Sequence, residues 1–179
     1  ADFSAGTPDS NTSVVQLGDG DVLLRATEGS EFPGTALPTG WATGIWNTGG
    51  TVTVGSGQLT VNGARASVNA LYGVGRSVEF VATFDATEGA QHVGFGVDFN
   101  NPPWAMFSTL SGGALYARTA NGTTSADTVL PGSWLGAPHR FRIDWNTSSV
   151  VYRIDGTQVA SHAIAIAASL RPVVSDYAA

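Results

Sequence analysis

The groups in this chain that could do chemistry are few and widely spaced. There are four glutamates, Glu28, Glu31, Glu79 and Glu88, three histidines, His92, His139 and His162, and no cysteine. Hydrolysis of a glycosidic bond uses two carboxyl groups about 5–9.5 Å apart across the sugar. Only Glu79 falls inside an alternating, strand-like segment, where Asp98 or Asp144 could face it across a sheet. The histidines show no metal-ligand spacing, and no Gly-x-Ser-x-Gly elbow is present. A second chemistry, recognition of a sugar, needs an aromatic face to stack on its C–H surface and planar polar groups for its hydroxyls. The stretch HVGFGVDFNNPPW, residues 92–104, holds such a set: His92, Asp98, Asn100, Asn101 and Trp104, with Arg140 from a later strand. The plain alternative is that Arg140, Arg142, Asp144 and Arg153 pair with one another across strands and Trp104 caps a core edge.

Alternation at period two dictates the elements that must position these groups. In RSVEFVATFD (76–85), Val78, Phe80, Ala82 and Phe84 share one face. In the 92–99 segment, Val93, Phe95, Val97 and Phe99 share another, leaving His92, Gly94, Gly96 and Asp98 on the opposite side as a flat, outward surface. Phe141, Ile143 and Trp145 face inward beside Tyr152 and Ile154. Turn signals separate the strands, and YRIDGTQVASH reads as a hairpin around Asp155-Gly156. Many short strands in 179 residues must close or stack. The expected fold is all-β, a two-sheet antiparallel jelly-roll sandwich. One domain is expected over 1–179, with leading strands in 1–27, a wrapping connection over 28–50 and the sandwich body over 51–179. Phe32, Leu37, Trp41, Ile45 and Trp46 in that connection are expected to be buried.

Composition narrows the partners. Only 12% of residues are charged, against about 25% in an ordinary soluble domain. The eight basic residues are all arginine, they form no run, and the net charge is −6. Nucleic acid and anionic membrane surfaces are therefore not expected partners. No stretch approaches the roughly 20 apolar residues of a membrane-spanning helix.

The segments EFPGTALPTGW, GGTVTVGSGQLTVNGA, GRSVEFVATF, GFGVDF, HRFRIDW, VVYRIDGTQVASH and RPVVSDY, in that order, resemble the concanavalin A-like lectin/glucanase superfamily. Within it, the chain looks like the laminin-G-like modules of large exported bacterial proteins, from about Glu31 onward. The resemblance implies a twisted jelly roll, a carbohydrate-related or adhesive role and a secreted or cell-surface location. It also shows departures. The Glu-x-Asp-x-x-Glu strand of laminarinase-like members is absent, and AQHVGF lacks the Gln-x-His spacing of alginate lyases, whose His and Tyr converge on an Arg-rich groove. DFNN (98–101) is faintly similar to the metal loop of legume lectins. It joins Asp19, Asp21, Asp9 and Asn11 as oxygen donors that could serve Ca²⁺, although such runs are commonly turns. Such folds finish with a strand beyond RPVVSDY, so either the leading strands fill that place or the chain is part of a longer polypeptide.

The expectation is thus a non-catalytic carbohydrate-binding or adhesion module of a larger bacterial protein, with glycan and neighbouring domains as partners. Two readings stand beside it. One is a polysaccharide-active enzyme, hydrolase or lyase, using Glu79 with Asp98. The other is a structural spacer or interaction domain that contacts its neighbours through a sheet edge.

Overall fold

The structure, a computed structural model, describes residues 7, 12–14, 22–110 and 113–177. The chain divides into two compact units, Ala1–Glu31 and Phe32–Ala179, with the boundary inside the segment expected to be a wrapping connection. In the first unit, β1 (Thr12–Val14) and β2 (Val22–Leu24) pair antiparallel with each other.

The second unit is built from thirteen described strands. They are β3 (Trp41–Ile45), β4 (Thr51–Gly55), β5 (Gln58–Asn62), β6 (Ala64–Val68), β7 (Arg76–Ala82), β8 (Gln91–Gly96) and β9 (Trp104–Thr109). They continue with β10 (Leu115–Ala120), β11 (Ser125–Val129), β12 (His139–Trp145), β13 (Val150–Ile154), β14 (Thr157–His162) and β15 (Arg171–Asp176). A seven-stranded sheet runs β11-β10-β9-β8-β15-β6-β3, a four-stranded sheet runs β14-β13-β12-β7, and β4-β5 form a hairpin. All pairings are antiparallel.

The two large sheets bury the faces that alternation assigns. Phe95, Ala105, Phe107, Leu115 and Ala117 from the larger sheet meet Phe141, Ile143, Trp145, Tyr152 and Ile154 from the smaller, with Phe84 beside them. Phe141 is the hub, its ring centroid 4.9 Å from Phe107, 5.3 Å from Phe84 and 5.6 Å from Phe80. Each such side chain contributes about 1.5–3 kcal/mol on burial, which fixes the register of the strands that carry it. The β13–β14 hairpin turns at Asp155 (φ +50°) and Gly156 (φ +81°), the two left-handed positions of a type I′ turn.

Four expectations are corrected. Residues 41–45 form an edge strand rather than part of a wrapping connection, because all five pair with β6, and Ile45 is 56% exposed rather than buried. The inward set ends at Phe95. β8 stops at Gly96, Val97 is exposed, and Phe99 turns to the outer side, where its ring meets Trp46. Gly94 is not a bare floor either. A Cβ there would collide with the Ala105 carbonyl, with Met106 Cα at 2.7 Å and with core Ile143 Cδ1 at 2.8 Å, so close approach of β9 requires the glycine. Finally, β15 has no vacant side: it is an interior strand bonded to β8 and β6.

Candidate functional site

Register defines the outer face of the seven-stranded sheet. Directly opposed residues share a face, so Tyr116, Ser108, His92, Ser175 and Arg65 form one row across five strands. Two residues along, Arg118, Met106, Gly94, Val173 and Ser67 form the next row, and Trp104, Gly96 and Arg171 a third. The residue types at these positions suit sugar recognition: two cationic planes on Arg65 and Arg118, hydroxyls, and the indole of Trp104. Trp46 joins them from the loop after β3, its Nε1 donating to Ser175 Oγ at 2.8 Å. Its ring carries the Arg65 guanidinium 4.6 Å above it and packs on Phe99 and Tyr177.

His92 sits at the middle of the first row. Nδ1 and Ser108 Oγ share a hydrogen bond of 2.8 Å, and Phe99 lies over the ring. Burial, helped by the Arg118 charge, lowers its pKa to about 4, so the imidazole is neutral near pH 7. Nδ1 is committed to Ser108, while Nε2 carries no hydrogen bond and is not among the sealed polar atoms of the described residues. Arg118 is held by Asp127 in a two-point pair at 3.0 and 3.1 Å, and its guanidinium lies 5.8 Å from the Trp104 ring. The underside of β10 is fixed by the core. Tyr152 Oη donates to the Arg118 carbonyl at 2.6 Å and lies 2.6 Å from Thr119 Oγ1, which also bonds His162. Burial pushes the Tyr152 hydroxyl well above the ordinary tyrosine range, so it stays a donor.

Beside His92, a depression of about 260 Å³ is lined by Ala42, Thr43, Arg65, Ser67, Val97, Asp98, Phe99, Arg171 and Val173. Asp98 closes its own loop, Oδ1 accepting the amides of Asn100 at 2.8 Å and Asn101 at 2.9 Å. Trp104 follows the cis Pro102-Pro103 bond. Trp104 Nε1 and Arg171 Nε are both sealed from solvent without an acceptor.

The structure therefore brings His92, Trp104 and Asp98 to one surface, with Asn100 and Asn101 in the loop at its end. Arg140 lies elsewhere. It projects from the outer face of the four-stranded sheet, 3.6 Å from Glu79. Glu79 also meets Arg142 at 3.6 Å, and Asp144 takes Arg142 at 2.7 Å and Arg153 at 3.4 Å. Burial raises the Asp144 pKa, but hydrogen bonds from Ser77 and Arg142 outweigh it and hold the carboxyl below the usual aspartate value. This is the cross-strand pairing that the plain alternative described. It also separates Glu79 from Asp98, since the two stand on outer faces of different sheets, and they cannot flank one glycosidic bond.

Alternation alone did not find Arg65, Arg118, Arg171, Tyr116 and Trp46. Each outward position was legible within its strand, yet only the insertion of β15 between β8 and β6 brings Arg171 and Arg65 beside His92. Of the calcium donors, Asp9, Asn11, Asp19 and Asp21 lie outside the described residues. Among the described residues no group of three or more His, Asp and Glu side chains is placed to hold a metal ion.

No family model matches the sequence, and no curated protein matches it. Solved structures do match in shape. The β-glucanase of Bacillus licheniformis superposes with a TM-score of 0.58 at 12% identity, covering 84% of this chain and 86% of that one. The fold is the concanavalin A-like jelly roll. The endo-β-1,3-glucanase of Pyrococcus furiosus gives 0.60 at 11% identity, covering 80% of each chain. The Crh5 transglycosylase gives 0.62 at 15% identity over 81% of this chain, which spans 66% of that protein, just under two thirds of it. These matches, by name glucanases and a transglycosylase, correct the expectation of a module without catalysis.

Proposed function

We propose that the chain is a polysaccharide-active enzyme, working outside the cell, whose substrate lies across the outer face of the seven-stranded sheet. One observation carries this reading: a neutral His92 stands in a row with Tyr116, under the charge of Arg118, between Trp104 and Trp46 on a single surface. The glucan-active proteins of the same fold support a polysaccharide as the substrate class.

The residues on that face favour elimination over hydrolysis. No glutamate among the described residues stands on it, and its carboxylates are engaged, Asp98 with its own loop and Asp127 with Arg118. Elimination needs an acceptor for a proton, a donor for the leaving oxygen and a cation against an acidic sugar. With the Nδ1–H tautomer donating to Ser108 Oγ, His92 Nε2 takes the proton α to the sugar's carboxylate. The C–H electrons form a C4=C5 double bond, the C4–O bond breaks, and the Tyr116 hydroxyl protonates the departing oxygen. His92 and Tyr116 are two strand spacings apart, roughly 10 Å between their Cα atoms, which leaves room for a sugar between the side chains. An anionic substrate also raises the pKa of His92, making it a stronger base once the chain is bound.

The test is incubation with uronate-containing and neutral polysaccharides, following reducing ends and the ultraviolet absorbance of an unsaturated product. New ends accompanied by that absorbance, lost in His92→Gln, are expected. New ends without absorbance would replace elimination by hydrolysis, and no new ends from any polymer would overturn the enzyme reading.

A further inference from the structure

We infer that the depression beside the loop after β8 is a subsite for an acidic substituent of the substrate, a carboxylate or a sulfate ester, held by Arg65 and Arg171. The inference rests on the outer face being the substrate surface.

The arginine inventory leads there. Arg118 pairs with Asp127, Arg140 and Arg142 with Glu79, and Arg142 and Arg153 with Asp144. Arg65 and Arg171 have no carboxylate partner among the described residues, yet both line the same depression. They approach it from either side of the Ser67–Val173 pair, since Arg65 opposes Ser175 and Arg171 opposes Gly96 on either side of Val173. Arg65 is oriented without being neutralised, its guanidinium resting on the Trp46 ring. Arg171 keeps Nε buried and without an acceptor, an arrangement that an incoming oxyanion would relieve. The one acidic group in the lining, Asp98, spends an oxygen on two backbone amides. In a protein of net charge −6, two uncompensated guanidinium groups over one depression attract an oxyanion that can accept from both.

Binding is measured by calorimetry on the full chain with three probes: a polyuronate, a sulfated galactan and a neutral β-1,3-glucan. The acidic probes should bind more tightly than the neutral one, and raising salt should weaken them. Arg171→Gln and Arg65→Gln should each weaken acidic binding about ten- to hundredfold. Arg171→Lys, which retains the charge, should lose less, and Glu79→Gln on the other sheet should bind as wild type. Whichever acidic probe binds more tightly identifies the substituent. Equal binding of neutral and acidic probes, or folded arginine variants that bind acidic probes like wild type, would overturn the subsite while leaving the substrate surface intact. Binding of none of the three would overturn the surface itself.

Discussion

Replacing His92 by glutamine should make the protein less sensitive to acid, by an amount the site's geometry sets. The imidazole has a pKa of about 4 in the folded chain, against a reference value of 6.5. Below pH 6.5 the unfolded chain takes a proton at this position and the folded chain does not, so stability falls with pH until it levels off near 4. At pH 4 the unfolded state is almost fully protonated and the folded state half so, which amounts to about 3 kcal/mol lost relative to pH 7. His162 and the carboxylates add their own pH dependence, but they are the same in both proteins. Urea denaturation of wild type and His92→Gln at pH 7 and pH 4 isolates the His92 contribution as a difference of differences. Glutamine can still bond Ser108, so the variant should fold. Parallel loss of stability in the two proteins would refute the reasoning, because it would mean that His92 titrates like a solvated side chain and not as an imidazole kept neutral by burial.

Three further outcomes follow from contacts around the same face and its support. Gly94→Ala forces a Cβ into the backbone of β9 and should cost more than about 3 kcal/mol by thermal or urea unfolding, while Gly96→Ala meets nothing closer than 3.3 Å and should stay within about 1 kcal/mol. Tyr152→Phe strands the Arg118 carbonyl and Thr119 in the core and should cost about 1–3 kcal/mol by the same measurement. Glu79→Gln should leave turnover of any polysaccharide unchanged and shift stability by less than about 1 kcal/mol, since its ion pairs are exposed and 3.6 Å long.

Much of the sandwich was legible because burial acts on every second residue. Val78, Phe80, Phe95, Phe141 and Ile143 reach the core that their alternation assigns. Alternation fails where a side chain re-aims the backbone. Asp98 draws two amides to its carboxylate, the strand ends, and Phe99 emerges on the His92 side rather than the core side. The segment 41–45 was hidden by the glycines and prolines around it, although its own five residues pair fully with β6. The candidate site was legible only in part. His92 stood on an outward strand position and Trp104 in the stretch that follows it, but Arg171 lies 79 residues from His92 in sequence, and no local pattern says that β15 inserts next to β8. The separation of Arg140 from this surface was equally invisible, because outward on one sheet and outward on the other look alike in an alternating strand.

The surface itself is most directly tested through its tryptophans. An ¹⁵N-resolved spectrum reports each indole N–H separately, and Trp46 and Trp104 stand on the outer face while Trp145 is bonded to Ile166 in the core and Trp134 packs on His139. Titration with an acidic oligosaccharide should move the Trp46 and Trp104 indole signals and leave Trp134 and Trp145 in place. Movement of Trp134 alone, or of no indole at saturating oligosaccharide, would contradict the assignment of the seven-stranded sheet as the side that meets the glycan.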